Sequence, residues 1–186
     1  MAEVKVWKAA AMGEPLIALI LTALFAAAYS VSASLGLPSS LGLSVPVRAT
    51  GVAVLLVGLA IAGWMFTYRM PSTVIVSTYV TFAKLFRRVP LDQPSGRTEP
   101  LVVEGPQRYA RHPLYFGVVV MILGWALLTT YTYIFVATLL AFLWFRFYLI
   151  PFEEKELYAL FGDQYRAYSD ETPTMIPFTK RRKHYP

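Results

Sequence analysis

Three long runs without a charged residue constrain this chain more than any other feature. Residues 15–37, 49–68 and 114–145 contain no Asp, Glu, Lys or Arg. The first two are long enough as α-helices, at about 1.5 Å per residue, to cross a hydrocarbon core of about 30 Å. The third would measure roughly 48 Å as a single helix, so we expect a hairpin that turns at residues 129–133. The sequence therefore predicts an all-α polytopic membrane helix bundle.

The number of spans depends on a shorter apolar segment. Residues 70–83 are uncharged but too few to cross squarely, so we interpret them as an interfacial helix, with a tilted extra span as the alternative. This gives four or five transmembrane helices. The first apolar run is longer than a signal-peptide core, and we expect it to be retained. Residues 90–105 are rich in Pro, Gly and charged groups, which indicates a connection exposed to water.

Basic residues are distributed asymmetrically about these spans. Of the 17 Lys and Arg residues, only Arg48 falls in the predicted outer loops at 38–48 and 129–133. By the positive-inside rule, both termini are therefore predicted to be cytosolic. The net charge is +6, and the basic residues lie beside the apolar segments and in the tail at 180–183. This favours membrane lipids, and not nucleic acid, as the partner of the basic residues.

The chain lacks cysteine and has only two histidines, His112 and His184. Disulfides, thiolate nucleophiles and cysteine-bound metal sites are thereby excluded, and the histidines are too few for a histidine-rich metal site. We expect no metal. Candidate chemistry therefore depends on charged and aromatic side chains next to the membrane segments.

The first candidate cluster lies where a loop meets the predicted hairpin. Arg108, Arg111 and His112 come just before Pro113. Residue types alone favour an ordinary positive cluster beside the membrane. The alternative is an anion site, because Pro113 restricts the backbone of His112 and a helix N-terminus adds backbone N–H groups to the arginine charge.

The second candidate cluster follows the hairpin, on a predicted amphipathic helix or pair of helices over residues 152–168, with Gly162 as a candidate end of the first piece. Its ordinary interpretation is a solvated helix start. By helical spacing, however, Glu153 and Glu154 lie near the apolar face, whereas Lys155 and Glu156 are predicted to face solvent. A carboxylate on an apolar face requires a cationic partner. The candidate partners are a cationic ligand, Arg146, Arg108 and Arg111.

Three sequence blocks carry a family resemblance. They are GPQRYARHPLYFG at 105–117, EEKELYALFGDQYRAY at 153–168 and TPTMIPF at 172–178. In this order, with a membrane hairpin between the first two, they resemble the isoprenylcysteine carboxyl methyltransferase family, which includes phospholipid and thiol methyltransferase relatives. The resemblance covers residues 101–178.

The resemblance implies an enzyme that transfers a methyl group from S-adenosylmethionine to a lipophilic acceptor from the bilayer. The implied acceptor is an isoprenylcysteine-like carboxylate, a lipid amine or a thiol. Residues 1–100 would form N-terminal membrane helices and an interfacial connector. Residues 101–186 would form the catalytic core, with the hairpin and a cytosolic cap over the cofactor. The short chain resembles prokaryotic members, so we expect a prokaryotic plasma membrane.

The resemblance also assigns roles to individual residues. The implied cofactor-binding residues are Arg108, Tyr109, Arg111, His112, Pro113, Tyr115, Glu153, Glu154, Tyr165 and Tyr168. The implied catalytic residues are Arg146, Glu153 and Glu154. Arg146 stands in for an arginine that the family often has just before the glutamate pair. Gln107 is a second departure, at a position where the family usually has an aromatic residue.

Two other functions are compatible with the sequence. Membrane sterol reductases share a similar RHPxYxG block, which makes an NADPH-dependent reductase the alternative enzyme. A non-catalytic membrane scaffold or channel is the alternative from a different class. Against a channel, the charged residues gather at one end of the spans and are not spread along them.

Overall fold

We describe residues 6–72, 74 and 100–179 of a computed structural model of the chain. These residues form helices and loops, without a β-strand among them, which confirms the all-α prediction. In chain order the elements are α1 (Val6–Ser34), α2 (Val45–Tyr68), a 3₁₀ turn (Gly105–Arg108), α3 (Pro113–Thr129), α4 (Thr132–Trp144), a π-helical turn (Phe145–Leu149) and α5 (Ile150–Glu171).

Three helical segments are long and apolar enough to cross a membrane. They are Gly13–Ser34, Val45–Tyr68 and Thr132–Glu171, and α3 is a shorter apolar helix of 17 residues. Their outer faces carry large exposed apolar side chains, such as Leu19 at 65% and Leu56 at 58%. Such a surface is compatible with lipid and not with water. The chain is an integral membrane protein.

Several predictions concern residues outside the described ranges. They include most of the interfacial helix at 70–83, the connection at 90–99 and the basic tail at 180–183. The choice between four and five spans therefore stays a prediction. The same holds for the division of the chain after residue 100 and for the cytosolic position of the termini.

The predicted hairpin is confirmed, and its turn is centred on Thr130. This residue has φ 61° and ψ 3°, a left-handed conformation that costs a non-glycine residue roughly 1–2 kcal/mol. The loop after α1 offsets this cost. Ser40 Oγ lies 2.6 Å from Thr130 Oγ1, the Leu41 amide donates to the Thr130 carbonyl at 3.0 Å, and the Thr132 amide donates to the Ser39 carbonyl at 3.1 Å. Contacts distant in sequence thus replace the glycine that such a turn normally uses.

Helices α2 and α3 approach closely, in antiparallel directions, through glycines on both. A Cβ atom on Gly124 would lie 2.4 Å from the Leu55 nitrogen, and one on Gly58 would lie 2.8 Å from the Gly117 carbonyl oxygen. A Cβ atom on Gly51 would lie 2.8 Å from the Gly124 carbonyl oxygen. Only glycine allows two helix backbones this close. The packing brings the C-terminal end of α2 beside the N-terminal end of α3.

The segment after α5 folds back to the start of α3. Gly162, with φ 50° and ψ −124°, puts a kink into α5. Beyond the helix, the Pro173 carbonyl accepts a hydrogen bond from the Arg111 amide at 2.9 Å, and the Thr174 carbonyl accepts one from the His112 amide at 3.0 Å. These bonds join the two parts of the chain that carry the conspicuous sequence blocks.

Candidate active site

The arginine–histidine segment and the glutamate pair meet at the same end of the bundle. Arg111 Nη2 lies 2.6 Å from Glu154 Oε1, and Arg111 Nε donates to the same oxygen at 2.8 Å. His112 lies between both carboxylates, with Nδ1 3.4 Å from Glu153 Oε2 and Nε2 3.5 Å from Glu154 Oε1. The four side chains form one charged cluster, which we call the charged wall.

Arg111 uses its guanidinium donors inside the protein. Besides Glu154, Nη1 donates to the carbonyls of Ser169 and Thr172, both at 2.7 Å, and Nη2 donates to Thr174 Oγ1 at 2.9 Å. A guanidinium has five N–H donors, and these contacts occupy them. Arg111 therefore fixes Glu154 and the segment after α5. Its direct contact with a cofactor stays a prediction.

His112 is buried, at 7% exposed, and its ring stacks on Tyr115 with centroids 5.7 Å apart. Burial by itself lowers the pKa of His112. The two carboxylates of Glu153 and Glu154, 3.4 and 3.5 Å from the ring nitrogens, act in the opposite direction and prevail, so the pKa of His112 lies above its ordinary value of 6.5. The protonated ring is thus the form that the two carboxylates favour.

Tyr115 orients Glu153. Its hydroxyl donates to Glu153 Oε1 at 2.8 Å, and its ring stacks on Phe145 with centroids 4.7 Å apart. Phe145 begins the π-helical turn after α4. Glu153 is therefore held from two sides, by Tyr115 on α3 and by His112 at the N-terminal end of that helix.

Arg111, His112 and Glu153 of the charged wall line a cavity with an empty volume of about 860 Å³, open solvent included. Its other walls come from the end of α2, from residues 100–102 and from the second half of α5. Seven of the predicted cofactor-binding residues line this cavity: Arg111, His112, Pro113, Tyr115, Glu153, Tyr165 and Tyr168.

Four predicted residues do not line the cavity. One is Glu154, which pairs with Arg111 of the cavity lining. Arg108 and Tyr109 are exposed on and after the 3₁₀ turn, and the Tyr109 ring packs 5.8 Å from Trp64. Arg146 is exposed on the π-helical turn, with its guanidinium 5.7 Å from the Phe147 ring. The structure therefore does not bring Arg146 to the glutamate pair. Arg111 supplies that cation.

One prediction about α5 is wrong. Glu156 was expected to face solvent, but it is fully buried, at 0% exposed. It lies in a row with Ile150 and Glu153, three residues apart along the helix, and all three are buried. The buried side of α5 therefore follows this row, and the helix packs on more than the single face that its apolar spacing indicates. Lys155 is exposed, as predicted.

The cavity also contains two neutral polar side chains that the sequence did not link to each other. Gln107 is 6% exposed and Tyr165 is 0% exposed. Within the described part of the chain, Gln107 Oε1 and the Tyr165 hydroxyl have no hydrogen-bond partner. Buried polar groups are almost always satisfied, so unpaired ones beside a cavity indicate a place where a polar ligand binds.

Comparisons with known proteins point to one family. The family model described as phospholipid methyltransferase matches residues 49–164. Methanethiol S-methyltransferase 1 of Bradyrhizobium diazoefficiens is 28% identical over 131 residues, which cover 69% of this chain and 44% of that relative. The chain thus spans less than half the length of this curated relative. No solved structure gives a significant match.

Proposed function

The chain belongs to the phospholipid methyltransferase family, and we propose that it transfers a methyl group from S-adenosylmethionine to a lipid or thiol acceptor. One observation carries the proposal. The charged wall, formed by Arg111, His112, Glu153 and Glu154, borders a solvent-open cavity at one end of an apolar helix bundle. That arrangement suits an enzyme whose donor is water-soluble and whose acceptor is apolar.

The cavity has the groups that such a donor requires. S-adenosylmethionine combines an ammonium, a carboxylate, ribose hydroxyls, an adenine and a sulfonium. Glu153 offers a carboxylate for the ammonium or the ribose, and protonated His112 offers a cation for the carboxylate. The aromatic side chains of Tyr165 and Tyr168 line the same cavity and suit a cation or a flat base. A donor with both charges and a neutral base fits this mixed set of residues.

The proposed chemistry places few demands on acid–base groups. When bound, the donor supplies an electrophilic methyl group. An acceptor that is already a thiolate or a carboxylate needs no proton removed. The protein residues then hold the reactants in line and exclude water, and positioning of this kind supplies most of the rate. Arg111 and Tyr115 act as positioning residues, because they orient Glu154 and Glu153.

The proposed acceptor class follows from the family description, from the name of the relative and from the apolar surface of the hairpin. The family is described by phospholipids and the relative by methanethiol, so a lipid or a small thiol is the expected class. Leu114 lines the cavity at the start of the hairpin, while the flanks of α3 and α4 expose large apolar side chains such as Trp125 and Leu139. We propose that the acceptor reaches the cavity from the bilayer beside the hairpin.

The orientation in the membrane is also a proposal. Arg48 is the one basic residue of the predicted outer loops, and the sequence predicts the other Lys and Arg residues at or near the opposite side. By the positive-inside rule, the cavity would open to the cytosol, where S-adenosylmethionine is made. We expect this arrangement in a prokaryotic plasma membrane.

Binding experiments on the full chain in detergent test the proposed donor. Calorimetry with S-adenosylmethionine and S-adenosylhomocysteine should show binding, and calorimetry with NADPH should show none. Binding of NADPH alone would instead support a reductase, and binding of none of the three a scaffold. Labelled donor incubated with a membrane lipid extract or with small thiols then identifies the acceptor class.

A further inference from the structure

We propose that Gln107 recognises the adenine edge of the methyl donor and sets the preference for that base, an inference that rests on the proposed function. The side chain lines the cavity and is 6% exposed. Its Oε1 atom has no hydrogen-bond partner among the described residues. A buried amide oxygen left without a donor is costly, so a ligand group that donates to it would be strongly favoured.

The main chain of Gln107 is held in place by two elements. It lies in the 3₁₀ turn Gly105–Arg108, which starts at Gly105 with φ 60°. Its carbonyl oxygen accepts a hydrogen bond from the Tyr168 hydroxyl on α5 at 2.7 Å. This bond ties the turn to α5, so the amide side chain is presented to the cavity from a fixed backbone.

Tyr165 extends the same neutral surface. Its side chain is fully buried, its hydroxyl also lacks a hydrogen-bond partner among the described residues, and it lines the cavity. Its ring lies 5.9 Å from that of Tyr168, whose hydroxyl holds Gln107. Gln107 and Tyr165 therefore form a neutral wall with two unsatisfied polar groups. It differs in chemistry from the charged wall and adjoins it, since Tyr165 also interacts electrostatically with Glu154 and Arg111.

The two walls suit different parts of one ligand. The ammonium and carboxylate of the donor need charged partners, which the charged wall offers. A neutral amide instead matches a base edge that has one donor and one acceptor. Glutamine pairs in this way with adenine, accepting from the exocyclic amine N6 and donating to the ring nitrogen N7. The neutral wall is therefore assigned to the base.

This assignment predicts that the protein distinguishes adenine from a base that differs only in the exocyclic substituent. Replacing the adenine amine by an oxygen gives hypoxanthine, whose edge on the N7 side has two acceptors, O6 and N7, and no donor. The amide of Gln107 would then face a lone pair, whichever way it is turned. A site built to hydrogen-bond one group rejects the analogue that lacks it.

The test is calorimetry on the detergent-solubilised full chain with S-adenosylhomocysteine and its hypoxanthine analogue, S-inosylhomocysteine. The unaltered protein should bind the adenosyl compound at least about tenfold more tightly. In Gln107→Leu the two affinities should converge to within about threefold, mainly because the adenosyl compound binds more weakly. The matched control is Gln164→Leu, on an exposed position of α5, which should keep the original ratio.

Thermal unfolding without ligand gives a second readout. Leucine removes the unpaired amide and is close to glutamine in size, so Gln107→Leu should unfold at an unchanged or higher temperature. If Gln107 had a purely structural role, the variant would unfold at a lower temperature. If Gln107→Leu does not fold, Gln107→Glu keeps the acceptor and should keep the preference for adenine.

The results separate the two proposals. If Gln107→Leu keeps the preference for the adenosyl compound, or lowers the affinity for both compounds by the same factor, the inference about Gln107 is overturned. The proposal of a donor site then still stands. If the unaltered protein binds neither compound, the proposed function fails and the inference fails with it.

Discussion

Arg111 and Glu154 are joined by a 2.6 Å ion pair that connects the start of α3 to α5. Their side chains are 8% and 19% exposed, and the whole α3–α4 hairpin lies between them in sequence. The pair therefore holds the two parts of the site together, and the other contacts of the charged wall surround it.

Arg111→Lys should destabilise the protein and weaken donor binding together. Lysine cannot supply donors in the directions of Glu154, Ser169, Thr172 and Thr174 that the guanidinium reaches. Breaking a largely buried pair costs about 3 kcal/mol or more, which should appear as a lower Tm in detergent. Arg166→Lys, at an exposed position of α5, is the control and should leave Tm nearly unchanged. An equal Tm in both variants would contradict the role of Arg111.

Glu153→Gln should reduce donor affinity about tenfold or more, because the amide no longer provides a full negative charge for the donor. Tyr115→Phe should have a smaller effect, since it removes only the hydrogen bond that orients Glu153. Calorimetry with S-adenosylhomocysteine measures both.

Tyr158→Phe is the control for Tyr115→Phe. It also loses a hydroxyl contact, 2.6 Å from Ser169 Oγ, but Tyr158 does not line the cavity. Its donor affinity should match that of the unaltered protein. Similar losses for the two tyrosines would show a general structural effect and argue against a donor site at Glu153.

The stability of the protein should fall with rising pH because of His112. Its pKa is raised in the folded protein, so its contribution is complete below about pH 6.5, the ordinary value. It is lost as the pH rises through the higher folded value, since the ring then no longer offers a charge to Glu153 and Glu154. Tm measured from about pH 5.5 to about pH 9 should decline less in His112→Gln than in the unaltered protein. Parallel pH profiles would mean that His112 does not titrate as described.

Gly124→Ala should separate α2 from α3. The new Cβ would lie 2.4 Å from the Leu55 nitrogen and 2.7 Å from its Cα, and both are backbone atoms. Overpacking of this kind costs about 1–3 kcal/mol, so Tm should fall. Donor affinity should fall as well, because Met65 at the end of α2 lines the cavity.

Gly63→Ala on α2 is the matched control for Gly124→Ala. Among the described residues, no atom outside its own stretch of helix lies within 4 Å of its added Cβ. Alanine also favours a helix by up to about 1 kcal/mol over glycine. An unchanged or higher Tm is expected. Should both alanine variants behave alike, the close approach of α2 and α3 does not limit stability.

Leu114→Trp should raise the KM for the acceptor by a larger factor than it weakens S-adenosylhomocysteine binding, if the acceptor arrives beside the hairpin. Leu114 lines the cavity, whereas Leu139 on α4 is 57% exposed and Leu139→Trp serves as the control. Methyl transfer from labelled donor gives the KM. An equal loss of donor binding in Leu114→Trp would exclude this route.

Much of the fold could be predicted from the spacing of charges alone. The uncharged run at 114–145 is too long for one span, and the structure places its turn at Thr130, inside the predicted segment. The turn residue itself could not be predicted, because its left-handed conformation depends on Ser40, from a loop far away in sequence. The same limit applies to Glu156, whose burial depends on what packs around α5.

The sequence by itself determined that this chain forms apolar helices with a charged end, because a bilayer requires every backbone group within it to be paired internally. It also carried the blocks that identify the family. Only the tertiary structure decided which charged groups meet: Arg111 and not Arg146 reaches the glutamates, and Gln107 joins Tyr165 at the cavity. The reason is geometric. Side-chain encounters depend on how helices are rotated against each other, and here the close approach of α2 and α3 at Gly51, Gly58, Gly117 and Gly124 sets that rotation.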